Sequence, residues 1–258
     1  MIAAFDSVAA WRERRVGDMR HGITLGFVPT MGALHDGHLS LVERSRRENE
    51  RTLVSIFVNP TQFDDPADLD AYPRILERDL SLLESAGVDY VLSPRTAEMY
   101  GDGFRYQVSE TELSSVLEGA HRPGHFSGVL TVVLKLLNIA SAERAYFGEK
   151  DWQQLTLVRG MADAFFVPTA IVACPTVREA DGLALSSRNA RLRGSDRTRA
   201  AQLHHILTSA ETPHAAVDRL ADAGFTVDYV DDRDGRRLAA VRLHGVRLID
   251  NVPLRNAS

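Results

Sequence analysis

Short apolar segments alternate with longer amphipathic ones along the first two thirds of the chain. Residues 23–30 (ITLGFVPT) and 52–59 (TLVSIFVN) are apolar runs that end close to a proline, a pattern typical of buried strands followed by loops. Residues 37–50 and 72–86 carry apolar side chains at helical spacing, and residues 89–92 form another short apolar run. The chain therefore begins with alternating strands and helices.

The alternation continues to about residue 175. Helices are predicted at 126–139 and 152–163, and strands at 145–147 and 168–173. This order is typical of an α/β protein, in which a parallel sheet is connected by crossover helices. Such sheets bind ligands beyond the carboxyl ends of their strands. Polar clusters at those ends are therefore the candidate functional residues.

The pattern changes after Pro175. Two short helical patterns, at 198–209 and 214–223, precede segments rich in Val, Leu and Arg at 226–230 and 238–249. These last segments predict a small antiparallel sheet. We place a domain boundary near Thr176, with an α/β domain at residues 1–175 and a small α+β domain at residues 176–258.

Composition excludes several classes of protein. The 258 residues are 44% apolar and 25% charged, which are ordinary globular values. The formal net charge of −5 argues against nucleic-acid or anionic-membrane binding. Cys174 is the only cysteine, so an internal disulfide and a cysteine-based zinc site are excluded. We find no apolar run of bilayer length and no signal-peptide pattern, and we expect a cytoplasmic protein.

Lysine is rare in this chain. Of the 30 basic residues only Lys135 and Lys150 are lysines, and the rest are arginines. A retained lysine marks a place where a compact ammonium is needed, or it has survived by chance in an arginine-biased sequence. The count alone leaves both interpretations open.

The segment PTMGALHDGH, at residues 29–38, is the strongest local motif. It lies where a predicted strand leads into a predicted helix, so its backbone N–H groups and the helix dipole favour an anion. His35 and His38 are three residues apart and share one face of a first helical turn. A surface loop with incidental histidines is the alternative. A zinc site has less support because no third ligand lies nearby in the sequence.

Three further polar clusters follow predicted strands or the domain boundary. They are NPTQF at 59–63, FGEKDWQQ at 147–154 and READGLALSSRN at 178–189. Neutral amides suit hydroxyls and a carboxylate, and two serines beside an arginine suit a phosphate. Lys150 lies in the second cluster, in the predicted ligand-binding region. Taken singly, each cluster could also be an ordinary polar turn or linker.

Together the motifs resemble one family. The motifs are PTMGALHDGH, NPTQF, YPR with Asp79, EGAHRPGHFSGV, GEKDWQQ and READGLALSSRN. In this order they are similar to the pantothenate synthetases, the ATP-dependent pantoate–β-alanine ligases of the HxGH nucleotidyl-transferase superfamily. The resemblance extends over residues 23–192 and resumes at VDYVDDRD and RLIDN.

The resemblance implies a fold and a reaction. A Rossmann-like N-terminal domain would hold the substrates, and a small C-terminal lid domain would close over ATP. The carboxylate of pantoate would attack the α-phosphate, giving pantoyl adenylate and pyrophosphate. The amine of β-alanine would then displace AMP to give pantothenate. The implied partners are ATP, pantoate, β-alanine, Mg²⁺ and a second copy in a homodimer, with no nucleic acid and no membrane.

The resemblance also implies roles for individual residues. The catalytic residues would be His35, His38 and Lys150. The ATP-binding residues would be Pro29, Thr30, Met31, His35, His38, Gly148, Lys150, Asp151, Leu185, Ser186, Ser187 and Arg188. The pantoate-binding residues would be Met31, Asn59, Gln62 and Gln154. Arg122 and His125 would lie on the substrate side, and Asp79 near the magnesium.

The chain departs from the family pattern at three places. Leu185 stands where the family usually has Met, a swap that conserves volume. Arg78 stands beside Asp79 where a second acidic residue is frequent, which weakens the case for a magnesium contact there. The helical region 198–223 is short, which predicts a smaller lid.

Two other functions remain as alternatives. One is a different nucleotidyl transferase that uses the same histidine motif with another acceptor. The other is a nucleotide-binding regulatory protein without turnover. The intact Lys150 and the Ser-Ser-Arg run argue against the second alternative.

Overall fold

The computed structural model describes residues 2–254, which form two compact units. The first unit contains residues 2–148 and 153–174, and the second contains 149–152 and 175–254. The strands are β1 (Ala3–Phe5), β2 (Leu25–Thr30), β3 (Arg51–Ile56), β4 (Tyr90–Leu92), β5 (Arg144–Gly148), β6 (Ala170–Cys174), β7 (Thr226–Arg233), β8 (Arg236–Leu243) and β9 (Val246–Pro253). The helices are α1 (Val8–Arg20), α2 (Asp36–Glu48), α3 (Pro66–Asp70), α4 (Leu76–Ser85), α5 (Thr96–Met99), α6 (Glu118–His121), α7 (His125–Ala140), α8 (Trp152–Ala164), α9 (Ser195–Ala200), α10 (Gln202–Ser209) and α11 (Pro213–Asp222).

The first unit is built on a six-stranded sheet in the order β1-β4-β3-β2-β5-β6. All neighbouring strands are parallel, as the alternation of strands and helices predicts. From β2 the chain adds β3 and then β4 on one side of β2. It then adds β5 and β6 on the opposite side of β2. The order therefore reverses between β2 and β5. In open parallel sheets such a reversal marks the ligand-binding crevice, beyond the carboxyl ends of the strands.

Burial on both faces explains why the central strands are continuously apolar. All residues of β3 except the first are buried, and the same holds for most of β2. Helices α2 and α4 pack on one face, where they close an apolar cluster with the sheet. This cluster includes Val28, Leu34, Val42, Val54, Leu83 and Val91. Helix α7 is buried along most of its length, which accounts for its apolar run.

The first two elements, β1 and α1, are absent from the sequence-based prediction. Helix α1 (VAAWRERRVGDMR) is dominated by charged residues and lacks a clear apolar stripe. Trp11 anchors it instead, because its ring is fully buried and its Nε1–H donates to the carbonyl of Ile139 at 2.9 Å. Arg15, also buried, donates to the carbonyls of Ile23 and Ser141, both at 3.0 Å. Two long side chains thus replace the periodic pattern that would identify the helix.

The second unit is a three-stranded antiparallel sheet with helices α9–α11, in agreement with the predicted α+β class. The predicted run 238–249 forms two strands, because the backbone turns at His244 and Gly245, both of which have positive φ. Leu203, Leu207, Leu220 and Phe225 pack against the sheet. Within residues 2–254, no helix combines the length and apolar character needed to cross a membrane.

Candidate active site

The segment that leads from β2 into the first turn of helix α2 carries the two histidines of the predicted phosphate site. His35 is the N-cap of helix α2, and its Nδ1 accepts the N–H of Gly37 at 3.1 Å. The Nδ1 of His38 accepts the N–H of His35 at 3.4 Å, and the ring centroids lie 4.1 Å apart. A neutral imidazole whose Nδ1 is an acceptor carries its proton on Nε2. Both rings therefore have Nε2–H donors at a helix N-terminus, where anions are stabilised.

Asp79 of helix α4 holds the backbone of this loop. Its side chain is buried, and its two carboxylate oxygens accept the N–H groups of Ala33 at 2.8 Å and Leu34 at 2.9 Å. Gly32 lies against the same carboxylate with φ of +79°, and a Cβ there would come within 2.9 Å of Oδ2. The loop therefore depends on glycine at position 32 and on a carboxylate at position 79.

These contacts bear on the predicted magnesium role of Asp79. Each of its oxygens already has a backbone partner in the loop. Across the described part of the chain, no three His, Cys, Asp or Glu side chains cluster in a way that could hold a metal ion. Magnesium that is coordinated by phosphates needs few protein ligands. The donor set therefore fits a metal carried by a nucleotide, and the magnesium contact of Asp79 stays a prediction.

Three of the predicted pantoate-binding residues meet after the end of β3. The carboxamide of Gln62 contacts the Met31 sulfur through Nε2 at 3.1 Å and accepts from Asn59 Nδ2 at 3.1 Å. Asn59 is 1% exposed, so its polar atoms need partners inside the protein. Asn59 thus orients the carboxamide of Gln62. Hydrogen bonds thus join Met31, Asn59 and Gln62. Within residues 2–254, none of these bonds reaches Gln154, the fourth predicted residue.

Two residues outside the predicted set complete the cluster. The hydroxyl of Tyr100 donates to Asn59 Oδ1 at 2.6 Å, and burial raises the pKa of this tyrosine, which keeps it protonated. Gly128 of helix α7 accepts from Asn59 Nδ2 at 3.2 Å, and a Cβ on Gly128 would collide with the carbonyl group of Thr61. A glycine inside an apolar helix is the signal that could have identified this close approach. Tyr100 lies in a stretch without periodicity.

Arg122 and His125 bind the backbone of Gln62. The Nδ1–H of His125 donates to the Gln62 carbonyl at 2.8 Å, and its Nε2 accepts from Arg122 at 3.1 Å, because a guanidinium can only donate. Arg122 also donates to the same carbonyl at 3.2 Å and to Asp64 at 3.0 Å. Burial and the charge of Arg122 lower the pKa of His125 to about 4. The ring is therefore neutral near pH 7, as its acceptor role requires.

Gln153 and Gln154 are neighbours on helix α8 with different surroundings. Gln153 is buried, and its carboxamide accepts the N–H of Glu118 at 3.0 Å. It also donates to the carbonyls of Leu113 at 2.7 Å and Val116 at 2.8 Å. Gln154 is half-buried. The first glutamine supports the loop at 113–118, and only the second is a candidate for contact with a substrate.

Lys150 and Asp151 lie in a short 3-10 turn, Glu149–Asp151, that belongs to the second unit. The Lys150 side chain is 17% exposed, and its Nζ lies 3.6 Å from the Asp151 carboxylate. The peptide carbonyl of Lys150 accepts from Asn251 Nδ2 at 3.0 Å. The turn that contains the predicted phosphate-binding lysine is thus attached to strand β9.

The other predicted phosphate-binding residues form the start of a second 3-10 turn, Ser187–Arg191. Ser186 caps this turn, and its Oγ accepts the N–H of Arg188 at 3.3 Å. The N–H of Leu185 donates to the carbonyl of Val177 at 3.0 Å. Residues 185–188 are all half-buried. The second unit therefore carries two separate segments with cationic or hydroxyl side chains.

Asp250 supports the turn before Ser186. Arg178 makes two hydrogen bonds to its carboxylate, at 2.7 and 2.9 Å, and a third to the carbonyl of Gly182 at 3.1 Å. Burial alone would raise the pKa of Asp250, but His204 and Arg178 outweigh it and hold the pKa below its ordinary value. The RLIDN motif contains Asp250, yet nothing in its local pattern indicates which residue it binds.

The remaining predicted ATP-binding residues lie at the ends of the neighbouring strands β2 and β5. Pro29 and Thr30 end β2, and Gly148 ends β5, on the two sides of the reversal in strand order. The Thr30 hydroxyl donates to the carbonyl of Ser55 at 2.7 Å and accepts the N–H of Gly32 at 3.1 Å. The roles of these residues toward ATP stay predictions.

Comparison with known proteins identifies the family. A family model described as pantoate-beta-alanine ligase matches residues 2–253. The chain belongs to the pantoate-beta-alanine ligase family. A pantothenate synthetase of Bdellovibrio bacteriovorus is 51% identical over 245 residues, which cover 95% of each chain. Another, of Cereibacter sphaeroides, is 50% identical over 266 residues and covers 93% of this chain and 95% of its own.

Solved structures of the family share the fold. The chain is similar to a pantoate-beta-alanine ligase of Francisella tularensis, crystallised with beta-gamma ATP and β-alanine, with a TM-score of 0.93 and 39% identity over 98% of both chains. A pantothenate synthetase of Thermus thermophilus has a TM-score of 0.88 and 42% identity, covering 98% of this chain and 99% of its own. The predicted family, fold class and assignment as a ligase are confirmed.

We expect Asp79→Ala to lower the free energy of unfolding by about 2–4 kcal/mol, because two buried N–H groups lose their acceptors. Asp79→Asn keeps the volume and one acceptor oxygen, so its loss should be smaller. Urea unfolding without ATP and magnesium measures both variants. Wild-type stability for Asp79→Ala, together with recovery of its activity by excess magnesium, would show that the carboxylate serves the metal instead.

The stability of the wild-type protein should fall as the pH drops from 6.5 towards 4. The unfolded chain protonates His125 near its ordinary pKa of 6.5, whereas the folded protein does so only near pH 4. Between these values the unfolded state binds more protons, which costs the fold about 2–3 kcal/mol by pH 4.5. His125→Asn lacks this group. Urea unfolding at pH 7 and 4.5 should therefore show a smaller loss in the variant, and parallel losses would contradict the assignment.

Proposed function

We propose that this chain joins pantoate to β-alanine at the expense of ATP, through a pantoyl adenylate. Family membership supports the overall ligation, and the Francisella tularensis relative was crystallised with an ATP ligand and β-alanine. The observation that carries the ATP step is the pair of histidine rings at the N-terminus of helix α2. In both rings Nδ1 accepts a backbone N–H, so a neutral ring carries its proton on Nε2.

The reaction has two displacements. The pantoate carboxylate attacks the α-phosphorus of ATP, so that an O–P bond forms and the bond to pyrophosphate breaks. The β-alanine amine then attacks the acyl carbonyl, an amide bond forms, and AMP leaves with the bonding pair while the amine gives up a proton. Negative charge develops on the α-phosphate and on pyrophosphate during the first step. Positioned donors and cations are what such a transition state requires.

The phosphate-binding roles fall to residues that can donate or carry positive charge. In this proposal His35 and His38 donate from Nε2 to phosphate oxygens, and Lys150 and Arg188 neutralise developing charge. The hydroxyls of Ser186 and Ser187 add donors, and the carboxylate of Asp151 accepts from the ribose. Pro29, Thr30, Met31, Gly148 and Leu185 contact the nucleotide through their backbone and apolar atoms.

The pantoate-binding roles rest on neutral amides. Gln62 and Gln154 bind the hydroxyls and carboxylate of pantoate, with Met31 and Asn59 beside them. Arg122 and His125 hold the backbone of Gln62, and we propose that their contribution is to position this residue. Neutral donors suit this end of the reaction because they orient the carboxylate without lowering its nucleophilicity as strongly as a cation would.

The donor set is compatible with magnesium that binds together with ATP, through the phosphate oxygens. The proposed phosphate ligands are imidazole, ammonium, guanidinium and hydroxyl groups, which bind phosphate oxygens and leave others to the metal. When bound, magnesium would neutralise part of the triphosphate charge. No step of the proposal depends on a protein ligand to the metal, and the homodimer likewise stays a prediction.

Pyrophosphate exchange tests the order of the two steps. The enzyme with ATP, magnesium and pantoate, but without β-alanine, should exchange labelled pyrophosphate into ATP, because adenylate formation is complete and reversible at that stage. Omitting pantoate is the control and should abolish exchange. Exchange without pantoate would indicate a transferase with another acceptor, and a requirement for β-alanine would rule out a separate adenylate intermediate.

The neighbouring glutamines provide a matched pair of variants. Gln154→Ala should raise the KM for pantoate about tenfold or more, since a lost hydrogen bond to a buried polar substrate costs about 1–3 kcal/mol. Its KM for ATP and its Tm should change little. Gln153→Ala should instead lower Tm, because the buried N–H of Glu118 loses its acceptor and the carbonyls of Leu113 and Val116 each lose a donor. Equal weakening of pantoate and ATP in Gln154→Ala would refute its assignment.

A further inference from the structure

The turn that contains Lys150 is attached to the second unit by a small set of polar contacts. Residues 149–152 group with this unit, although strand β5 and the rest of helix α8, on either side of them in the sequence, belong to the first. Asn251 of strand β9 donates from Nδ2 to the carbonyls of Glu149 at 2.9 Å and Lys150 at 3.0 Å. One carboxamide therefore binds two consecutive carbonyl groups of the turn.

Arg236 fastens the two ends of the same turn. Its guanidinium lies over the ring of Trp152 at 4.3 Å and within 3.5 Å of the Glu149 carboxylate. These cation–π and ionic contacts act on the side chains of Trp152 and Glu149, and not on the backbone of the turn. Of the Arg236 and Asn251 side chains, the second is the one that reaches the backbone of Glu149 and Lys150. Asn251 therefore helps to fix the path and the orientation of the peptide that carries the lysine.

Asn251 is itself held in a single orientation. The residue is 2% exposed, and its Oδ1 accepts from Arg236 Nε at 2.6 Å. Because a guanidinium can only donate, this contact places the carboxamide oxygen toward Arg236 and the NH₂ group toward the turn. The backbone of Asn251 is fixed as well, since its N–H donates to Asp250 Oδ1 at 2.7 Å and its carbonyl accepts from Arg178 at 3.2 Å.

We propose that Asn251 is a positioning residue for Lys150 in adenylate formation. The inference rests on the proposed function, in which the Lys150 ammonium neutralises charge that develops on the phosphates. Asn251 touches no substrate in this account. It binds the peptide carbonyl of Lys150 and so fixes the direction in which the lysine side chain leaves the backbone. Displacements of about 1 Å in such groups can cost roughly 100-fold in rate.

The substitution Asn251→Asp isolates this contact. The carboxylate has nearly the volume of the carboxamide and still accepts from Arg236, but it cannot donate and it repels the two carbonyl oxygens. The rate of pantoyl adenylate formation should be measured in single turnover for four proteins: wild type, Asn251→Asp, Lys150→Ala and the double variant. We expect Asn251→Asp to slow the wild-type enzyme about 10- to 100-fold, with the KM for pantoate within about twofold of wild type.

The double variant distinguishes positioning from general damage. If Asn251 acts through Lys150, adding Asn251→Asp to Lys150→Ala should slow the reaction by no more than about threefold, because the group it positions is gone. An equal fold-loss in both backgrounds, or a wild-type rate for Asn251→Asp, would overturn the proposal. Unchanged activity of Lys150→Ala would instead refute the role of Lys150 in the proposed function itself.

Two further variants separate folding from function. Asp228→Asn removes a carboxylate of strand β7 that binds Arg242 and Arg247 in the same unit, at 3.1 and 2.7 Å, and it leaves the turn untouched. It should lower Tm while the rate stays within about twofold of wild type. If Asn251→Asp does not fold, Asn251→Ser removes both donors without adding charge and should show the same dependence on Lys150. A loss independent of Lys150 in that variant would equally overturn the proposal.

Discussion

The loops beyond the strands of this protein contain buried backbone groups that the sheets cannot satisfy. Such groups are costly unless they find a partner, and here buried polar side chains supply it. Asp79 serves the histidine loop, Gln153 the segment at 113–118, and Asn251 the Lys150 turn. In each loop a side chain distant in the sequence therefore helps to fix the path of the backbone. These few contacts therefore help to position the residues that we propose to bind the substrates.

Much of this architecture could be predicted from the chain alone, because most elements carry a hydrophobic pattern of the right period. Strands β2 and β3 are buried on both faces and read as apolar runs, and helix α7 is apolar because it is almost wholly covered. Helix α1 escaped prediction because Trp11 and Arg15, rather than an apolar stripe, hold it. Hydrophobic periodicity indicates which face of an element is buried. It gives no signal where individual large side chains, and not an apolar face, attach a helix to the rest of the protein.

Some residues of the candidate site could likewise be predicted from the sequence, and others could not. The histidines and Lys150 stand in short motifs next to strand ends, so sequence reasoning could find them. Tyr100 and Asn251 could not be assigned roles because they act on residues 41 and 101 positions away. The magnesium contact of Asp79 stays a prediction, but its support of the histidine loop was not predicted from the sequence. A buried acid in a motif signals a requirement for negative charge, but only the geometry shows that backbone N–H groups surround it.

The two lysines lie in different surroundings. The ammonium of Lys135 donates to the carbonyl of Met99 at 2.8 Å, lies 3.3 Å from Asp102 and sits 4.4 Å from the centre of the Tyr100 ring. A compact cation can serve three such partners at once, whereas a planar guanidinium would impose its own geometry. For Lys135 the structure therefore shows a constrained position, while the chemical role of Lys150 belongs to the proposed function.

The assignment of residues 149–152 to the second unit means that the chain passes between the units three times, after residues 148, 152 and 174. A fragment that begins at residue 175 would contain Asn251 and Arg236 but not the turn they hold. The second unit is therefore not one continuous stretch of sequence. A recombination event at a single position, such as residue 175, would not transfer all of it. To include the Lys150 turn, a transferred second unit would need residues 149–152 as well as the stretch from residue 175 onward.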